Sequence, residues 1–294
     1  MARRGNLDIL SSYSWYTPGP GGILALVLFL LGGALLGAGA LWLLRITAGE
    51  AIALRYGTLF SYPLMFLPAM IYARHKSLAN RFSAAGIALD SKHFGRSGVW
   101  VCALVAVAGV LALGFCADGV VALLPPMPEE LEALLASLTE GNVLINFLCV
   151  GIFAPLFEEW LCRGMILRGL LHTKLAPGWA ITLSALFFAA IHLNPWQAVP
   201  AFLFGGLFGY VYFKTGSLKL TMLMHGVNNT FALVCAQVDG LQDIGGWQEL
   251  LPGPGYRALL SGCILMLALV CLHFAHIPLE RTAGNCDETP AGFA

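Results

Sequence analysis

Long apolar stretches separated by short polar ones recur along the chain, at the length of about 20 residues that a helix needs to cross a bilayer. Eight such spans are predicted, at about 21–44, 57–73, 98–124, 143–171, 177–193, 197–213, 217–237 and 256–277. The fourth is long, and Pro155 marks the place where it is expected to bend. Between the third and fourth, "PPMPEELEALLASLTEGN" has helical apolar spacing but too little length to cross, which predicts an amphipathic helix lying at the surface. No internal repeat is visible and the linkers are short. The expected architecture is therefore all-α, a polytopic membrane helix bundle of about eight transmembrane helices in one domain spanning residues 1–294.

Composition agrees with this pattern. The 294 residues are 58% hydrophobic and 11% charged, where a soluble domain carries about 25% charged residues. Lipid is thus the expected solvent for most of the surface. Net charge is zero and no basic patch points to nucleic acid. With the N-terminus inside, thirteen Lys and Arg residues gather on the inner side, among them Arg3, Arg4, Arg74, Lys76, Arg81, Lys174 and Arg281. Three, Arg45, Arg55 and Arg257, fall outside, where Glu129, Glu130, Glu132, Glu140, Asp239, Asp243 and Glu249 also lie. This asymmetry predicts a cell (inner) membrane protein with both termini cytoplasmic. The first span is longer than a signal-peptide core and is expected to be retained. The eight cysteines show no CxxC pair, and seven lie in apolar spans as small hydrophobes. The pattern carries no signature of oligomeric state.

Three spans hold side chains that lipid alone would reject. The fourth contains Glu158, Glu159 and Arg163, the fifth ends with His192, and the seventh carries His225, Asn228 and Asn229. Each charge at the centre of a bilayer costs about 2.5–3.5 kcal/mol on insertion scales, so such groups face a bundle interior and mark function. Glu159 and Arg163 are four apart and share a helix face, in the favourable order for an ion pair. Glu158 is rotated by about 100° from Glu159. It is left as the free carboxylate. Phe188 with His192, and His225 with Asn229, also share faces at a spacing of four. Glu158 and His192 each lie about 20 Å from the inner ends of their helices, so antiparallel neighbours would set them side by side. Asp118, near the outer end of the third span, is expected to snorkel to water. Trp196, in the turn "NPWQ", is expected to anchor at the interface.

One free glutamate, two histidines and an asparagine in a polar intramembrane pocket suit hydrolysis of an acyl bond by either of two routes. Glu158, His192 and His225 form a zinc-type ligand set with an open position for water, taking Zn2+ or another divalent metal. Alternatively, Glu158 with His192 acts as general base on water, while His225 and Asn229 donate to the oxyanion. No organic cofactor is called for.

These residues form three ordered motifs. "EEWLCR" (Glu158, Glu159, Arg163) fits EExxxR, "FAAIH" (Phe188 to His192) fits FxxxH, and "HGVNN" (His225 to Asn229) fits HxxxN. In these motifs the chain resembles the CPBP family of intramembrane proteases, which includes the CAAX prenyl endopeptidases and bacteriocin-processing members. The resemblance covers a catalytic core of about 143–237. It implies an intramembrane metalloendopeptidase of the CAAX type, with Glu158 as catalytic carboxylate and His192 and His225 essential. Glu159 and Arg163 would support the site, Asn229 would assist the oxyanion or a metal-bound water, and Phe188 would line the substrate pocket. The implied partner is a peptide or membrane-protein substrate in the lipid bilayer, CAAX-type C-terminal processing being one form. The competing expectation is a non-catalytic scaffold or bacteriocin-immunity protein of the same fold. A transporter fits less well, because matched repeats and broken helices are absent.

Overall fold

A computed structural model describes residues 9–137, 142–238, 240, 246–251 and 253–279. Among these, every regular element is helical. Arg3, Arg4, Glu140, Asp239, Asp243, Arg281 and Cys286 lie outside the described residues. After a 3-10 turn at Ile9–Tyr13, the helices are α1 (Pro20–Ala48), α2 (Glu50–Asn80), α3 (Gly98–Val121) and α4 (Glu129–Ser137). They continue as α5 (Val143–Leu171), α6 (Pro177–Ala190), α7 (Pro195–Thr215), α8 (Leu218–Cys235), α9 (Trp247–Leu250) and α10 (Pro254–Ala275). The seven described cysteines are free thiols.

Each of the eight apolar stretches is a helix. Four of them, α1, α3, α5 and α10, are long and apolar enough to cross a membrane. The remaining four are α2, α6, α7 and α8. α6 has 14 residues, about 21 Å at 1.5 Å per residue. α2 is much longer than its apolar stretch of 57–73, because Arg55, Arg74, His75 and Lys76 continue the helix beyond the apolar limits. The surface helix between the third and fourth spans is present as the nine residues of α4.

Two apolar cores hold the bundle. One joins α1 and α2 to α5 around Leu26, Phe66, Trp160 and Leu167. The other joins α3, α7, α8 and α10 around Val110, Phe208, Met224 and Phe274. Lipid tails are as apolar as leucine, so helices associate in a membrane through close packing rather than through hydrophobic exclusion. α1 and α2 illustrate this. They turn about a single residue, Gly49, at φ 93°, and pack along their lengths. A Cβ at Gly33 would overlap the carbonyl oxygen of Met65, and one at Gly37 would lie 2.7 Å from that of Ser61. The spacing of four between these glycines gives α1 a smooth face against α2.

At the C-terminal end of α5, buried Arg168 donates to the carbonyls of Ile87, Tyr13 and Tyr16, at 2.7 Å, 3.4 Å and 2.5 Å. This guanidinium ties the N-terminal segment and the α2–α3 connection to the helix that carries the glutamates. The start of α8 is fixed similarly. Ser217 caps it, and Asp90 accepts from the Ser217 hydroxyl and the Lys219 N–H, both at 3.1 Å.

Two side chains singled out in the sequence make specific contacts at the opposite end. Asp118 is part-buried and accepts the Trp247 N–H at 3.0 Å, capping α9 instead of reaching for water. An unpaired N–H at a helix start is a better partner than an exposed carboxylate finds outside. Trp196 Nε1 donates to the Pro125 carbonyl at 2.9 Å, so this ring pins the α3–α4 connection to the turn after α6.

Gly33→Leu should push α1 from α2 and destabilise the bundle by about 1–3 kcal/mol or more, as overpacking does. Gly39→Leu, where a Cβ meets nothing within 4 Å, should leave stability unchanged. Melting of the two variants in detergent, followed by tryptophan fluorescence, checks the contrast.

Candidate active site

The winding of α5 sets up the site. Two stretches, Phe147–Phe153 and Trp160–Leu167, wind as π-helix, and the two glutamates end the α-helical segment Ala154–Glu159 between them. Single π-turns are rare and concentrate at functional sites. Here Pro155 helps explain the consequence. The Ala154 N–H bonds to the Cys149 carbonyl, five residues back, instead of to Val150. In that winding Val150 would accept from residue 155, but proline has no N–H. The Val150 carbonyl is left free, and Asn229 Nδ2 of α8 donates to it at 2.9 Å. Asn229 is thereby anchored by one of its two N–H groups. Its Oδ1 accepts from Asn228 Nδ2 at 3.2 Å. Gly226, on the same helix, lets α8 approach the Gly151 carbonyl, which a Cβ would meet at 3.0 Å.

Glu159 and Arg163 form the ion pair that their spacing predicts, with NH1 2.7 Å from Oε1 and both side chains fully buried. Arg163 NH2 also donates to the Gly205 carbonyl of α7 at 3.2 Å. Phe188 and Phe208 enclose the guanidinium, with ring centroids 4.6 Å and 5.3 Å from its carbon. An arginine out of water needs such compensation, and cation–π contact with a flat aromatic face supplies part of it.

Glu159 has a second partner that spacing did not reveal. Its Oε1 also accepts from His225 Nδ1 at 3.0 Å. With Nδ1–H given to that carboxylate, the imidazole presents Nε2 on its opposite edge. Nε2 faces Glu158 Oε2 at 3.9 Å, too far for a direct hydrogen bond. Glu158 itself is 12% exposed at its side chain and takes no bond from Arg163. Its Oε1 accepts instead from the Tyr62 hydroxyl of α2.

Phe188 does more than line a wall. Its ring lies edge-on to His192, at 5.2 Å between centroids, and to His225, at 5.5 Å. It separates and orients both histidines. His192 follows the end of α6, and its Nδ1–H donates to the Phe188 carbonyl at 2.8 Å. The next residue, Leu193, has φ 58°, a left-handed conformation that is costly without glycine. Asn194 stabilises that turn by donating to the His192 carbonyl at 2.9 Å and capping α7. The imidazole of His225 faces Glu158, at 3.9 Å from Nε2 to Oε2.

Sequence reasoning missed Tyr62 and Phe208. Both sit in apolar stretches without local signal, and only the packing of α2 and α7 against α5 brings them in. Among the described residues, no three His, Cys, Asp or Glu side chains gather closely enough to hold a metal ion. The donor set Glu158, His192 and His225 does not converge on one point in this arrangement, so no step below is routed through a metal.

The site can stabilise charge and move protons. One carboxylate is neutralised and serves a histidine; the other, bonded to Tyr62 but not to arginine, faces the same ring. Arg163→Met should cost about 3–5 kcal/mol, because it strands the buried Glu159 charge. The double variant Arg163→Met/Glu159→Leu should regain most of that loss. Thermal melts of the three proteins in detergent check this.

A family model described as type II CAAX prenyl endopeptidase, Rce1-like, matches residues 140–231. That stretch contains every motif residue from Glu158 to Asn229. No curated protein and no solved structure matches the chain.

Proposed function

We propose that this chain, which the Rce1-like family model matches over residues 140–231, is an intramembrane endopeptidase of the CPBP/CAAX type in which Glu158 is the general base. The family supports a CAAX-type endopeptidase in an integral membrane protein. The observation that carries the assignment of roles is the division between the two glutamates. Arg163 neutralises Glu159, which also holds His225, and Glu158, without an arginine partner, turns Oε2 toward His225 Nε2.

The 3.9 Å between Glu158 Oε2 and His225 Nε2 allows one water to lie off their axis at hydrogen-bonding distance from both. That is the placement a general base needs. The water gives a proton to Glu158 as its oxygen bonds to the carbonyl carbon of the scissile peptide. The carbonyl electron pair moves to oxygen, and the remaining N–H of Asn229 donates to the oxyanion. The Glu159 carboxylate holds the Nδ1–H of His225, so the neutral ring keeps Nε2 as an acceptor that orients the second O–H of the same water, as a triad carboxylate fixes the tautomer of its histidine. Collapse of the intermediate breaks the C–N bond, and Glu158 returns the proton to the leaving amine. His192, with Nδ1–H committed to the Phe188 carbonyl, turns Nε2 toward substrate as a second proton-exchanging group.

The proposed substrate is a membrane-associated protein or peptide precursor cut near its C-terminus, either a prenylated CAAX sequence or an unlipidated peptide. The thirteen-to-three distribution of basic residues supports placement in the inner membrane with cytoplasmic termini. The test is cleavage of quenched C-terminal peptides, farnesylated and plain, by purified protein in detergent. Wild type should cleave and should keep its rate in a strong chelator. His225→Ala should lose about 10²-fold or more, the usual scale of a missing acid–base group. A rate abolished by the chelator and restored by zinc would transfer the role of base to a metal-bound water. No cleavage in any sample would favour the scaffold.

A further inference from the structure

Glu158 is held from outside the stretch that matches the family. Tyr62 lies on α2, 96 residues earlier in the chain, and its hydroxyl donates to Glu158 Oε1. The two oxygens of this carboxylate therefore have different surroundings, since Oε1 faces Tyr62 and Oε2 faces His225 Nε2.

The packing around Tyr62 is built to keep it there. Phe66, one turn on, is buried and stacks on Phe157, the residue before Glu158, with ring centroids 5.4 Å apart. Tyr62 leans on both rings, at 5.5 Å from Phe66 and 6.5 Å from Phe157. Behind it, α1 packs tightly on α2 at Ser61 and Met65, on either side of Tyr62 in the chain, through Gly37 and Gly33. Pro63 fixes the backbone immediately after it. The α1–α2 hairpin thus serves as a rigid mount for one hydroxyl.

We propose that Tyr62 is a positioning residue for catalysis, fixing the rotamer of Glu158 through Oε1 so that Oε2 is the oxygen that meets water and His225. This rests on Glu158 being the base, as argued above. A glutamate with three side-chain torsions would otherwise sample several orientations, and only those facing His225 would be productive. A hydrogen bond to a charged group contributes enough to select one of them.

The first test is Tyr62→Phe, which keeps the ring contacts to Phe66 and Phe157. The kcat for peptide cleavage should fall about 10- to 100-fold, the scale of a hydrogen bond to a charged group, with KM unchanged. In a Glu158→Asp background, whose shorter carboxylate cannot reach both partners, the same change should have little further effect. Wild-type kcat in Tyr62→Phe, or additive losses in the double variant, would overturn the proposal.

The second test needs no turnover. The infrared difference spectrum between wild type and Glu158→Gln, with glutamate labelled in its carboxyl carbon, isolates the Glu158 band. That band should shift in Tyr62→Phe and stay in place in Gly39→Leu, where an added side chain meets nothing within 4 Å. An unshifted band in Tyr62→Phe would refute the contact whatever the protein cleaves. A shifted band without cleavage in wild type would leave Tyr62 bonded to Glu158 but would sink both its catalytic role and the proposed function. If Tyr62→Phe does not fold, 3,5-difluorotyrosine at position 62 retains the hydroxyl and strengthens it as a donor. It should shift the band in the opposite direction, and an unmoved band there also refutes the contact.

Discussion

The fully buried pair of Arg163 and Glu159 is the constraint on which the rest of the site depends. A charge at the centre of a bilayer is costly, and a lone arginine or glutamate there would be displaced or neutralised. Placed one helical turn apart, they compensate each other along a single face of α5. The guanidinium then spends its remaining capacity on the Gly205 carbonyl and two aromatic faces. This fixes α7 and the end of α6 around α5. Glu159 retains capacity to hold His225, so one ion pair sets both the bundle geometry and the direction of the His225 ring.

The arrangement separates two tasks that adjacent glutamates could confuse. Two free carboxylates at neighbouring positions would share protons and neither would have a defined role. Rotation of about 100° about the helix axis sends Glu159 toward arginine and Glu158 toward α2 and the second edge of His225. The polar groups of the motifs and of α2 come from different helices, and each is held by its own backbone or packing contact. Asn229 rests on the Val150 carbonyl that π winding and Pro155 leave free. His192 rests on the Phe188 carbonyl. Tyr62 rests on the aromatic contacts of α2. Fixed groups of this kind need little reorganisation as charge develops in a reaction.

What the sequence made legible was local. The all-helical class, the limits of α5 at 143–171, the Glu159–Arg163 pair and the shared faces of Phe188 with His192 all follow from spacing on one helix. What it did not reveal was carried by contacts between helices. Tyr62 is 96 residues from Glu158 and sits in an apolar stretch that reads as lipid-facing. The bond between Glu159 and His225 joins α5 to α8 and has no periodic signature. The freed carbonyl of Val150 depends on a change of helical winding that hydropathy does not register. Asp118 looked solvent-seeking only because its partner, the Trp247 N–H, is distant in sequence.

On the proposed mechanism, the two adjacent glutamates have opposite roles, one structural and one chemical. Glu158→Gln and Glu159→Gln should be compared for both melting temperature and peptide cleavage in the same detergent. Glu158→Gln should melt like wild type and cleave nothing measurable. Glu159→Gln should melt clearly lower, because Arg163 loses its counter-charge, yet retain residual cleavage while folded. Equal effects of the two substitutions on both measurements, or a reversal of the pattern, would contradict the account.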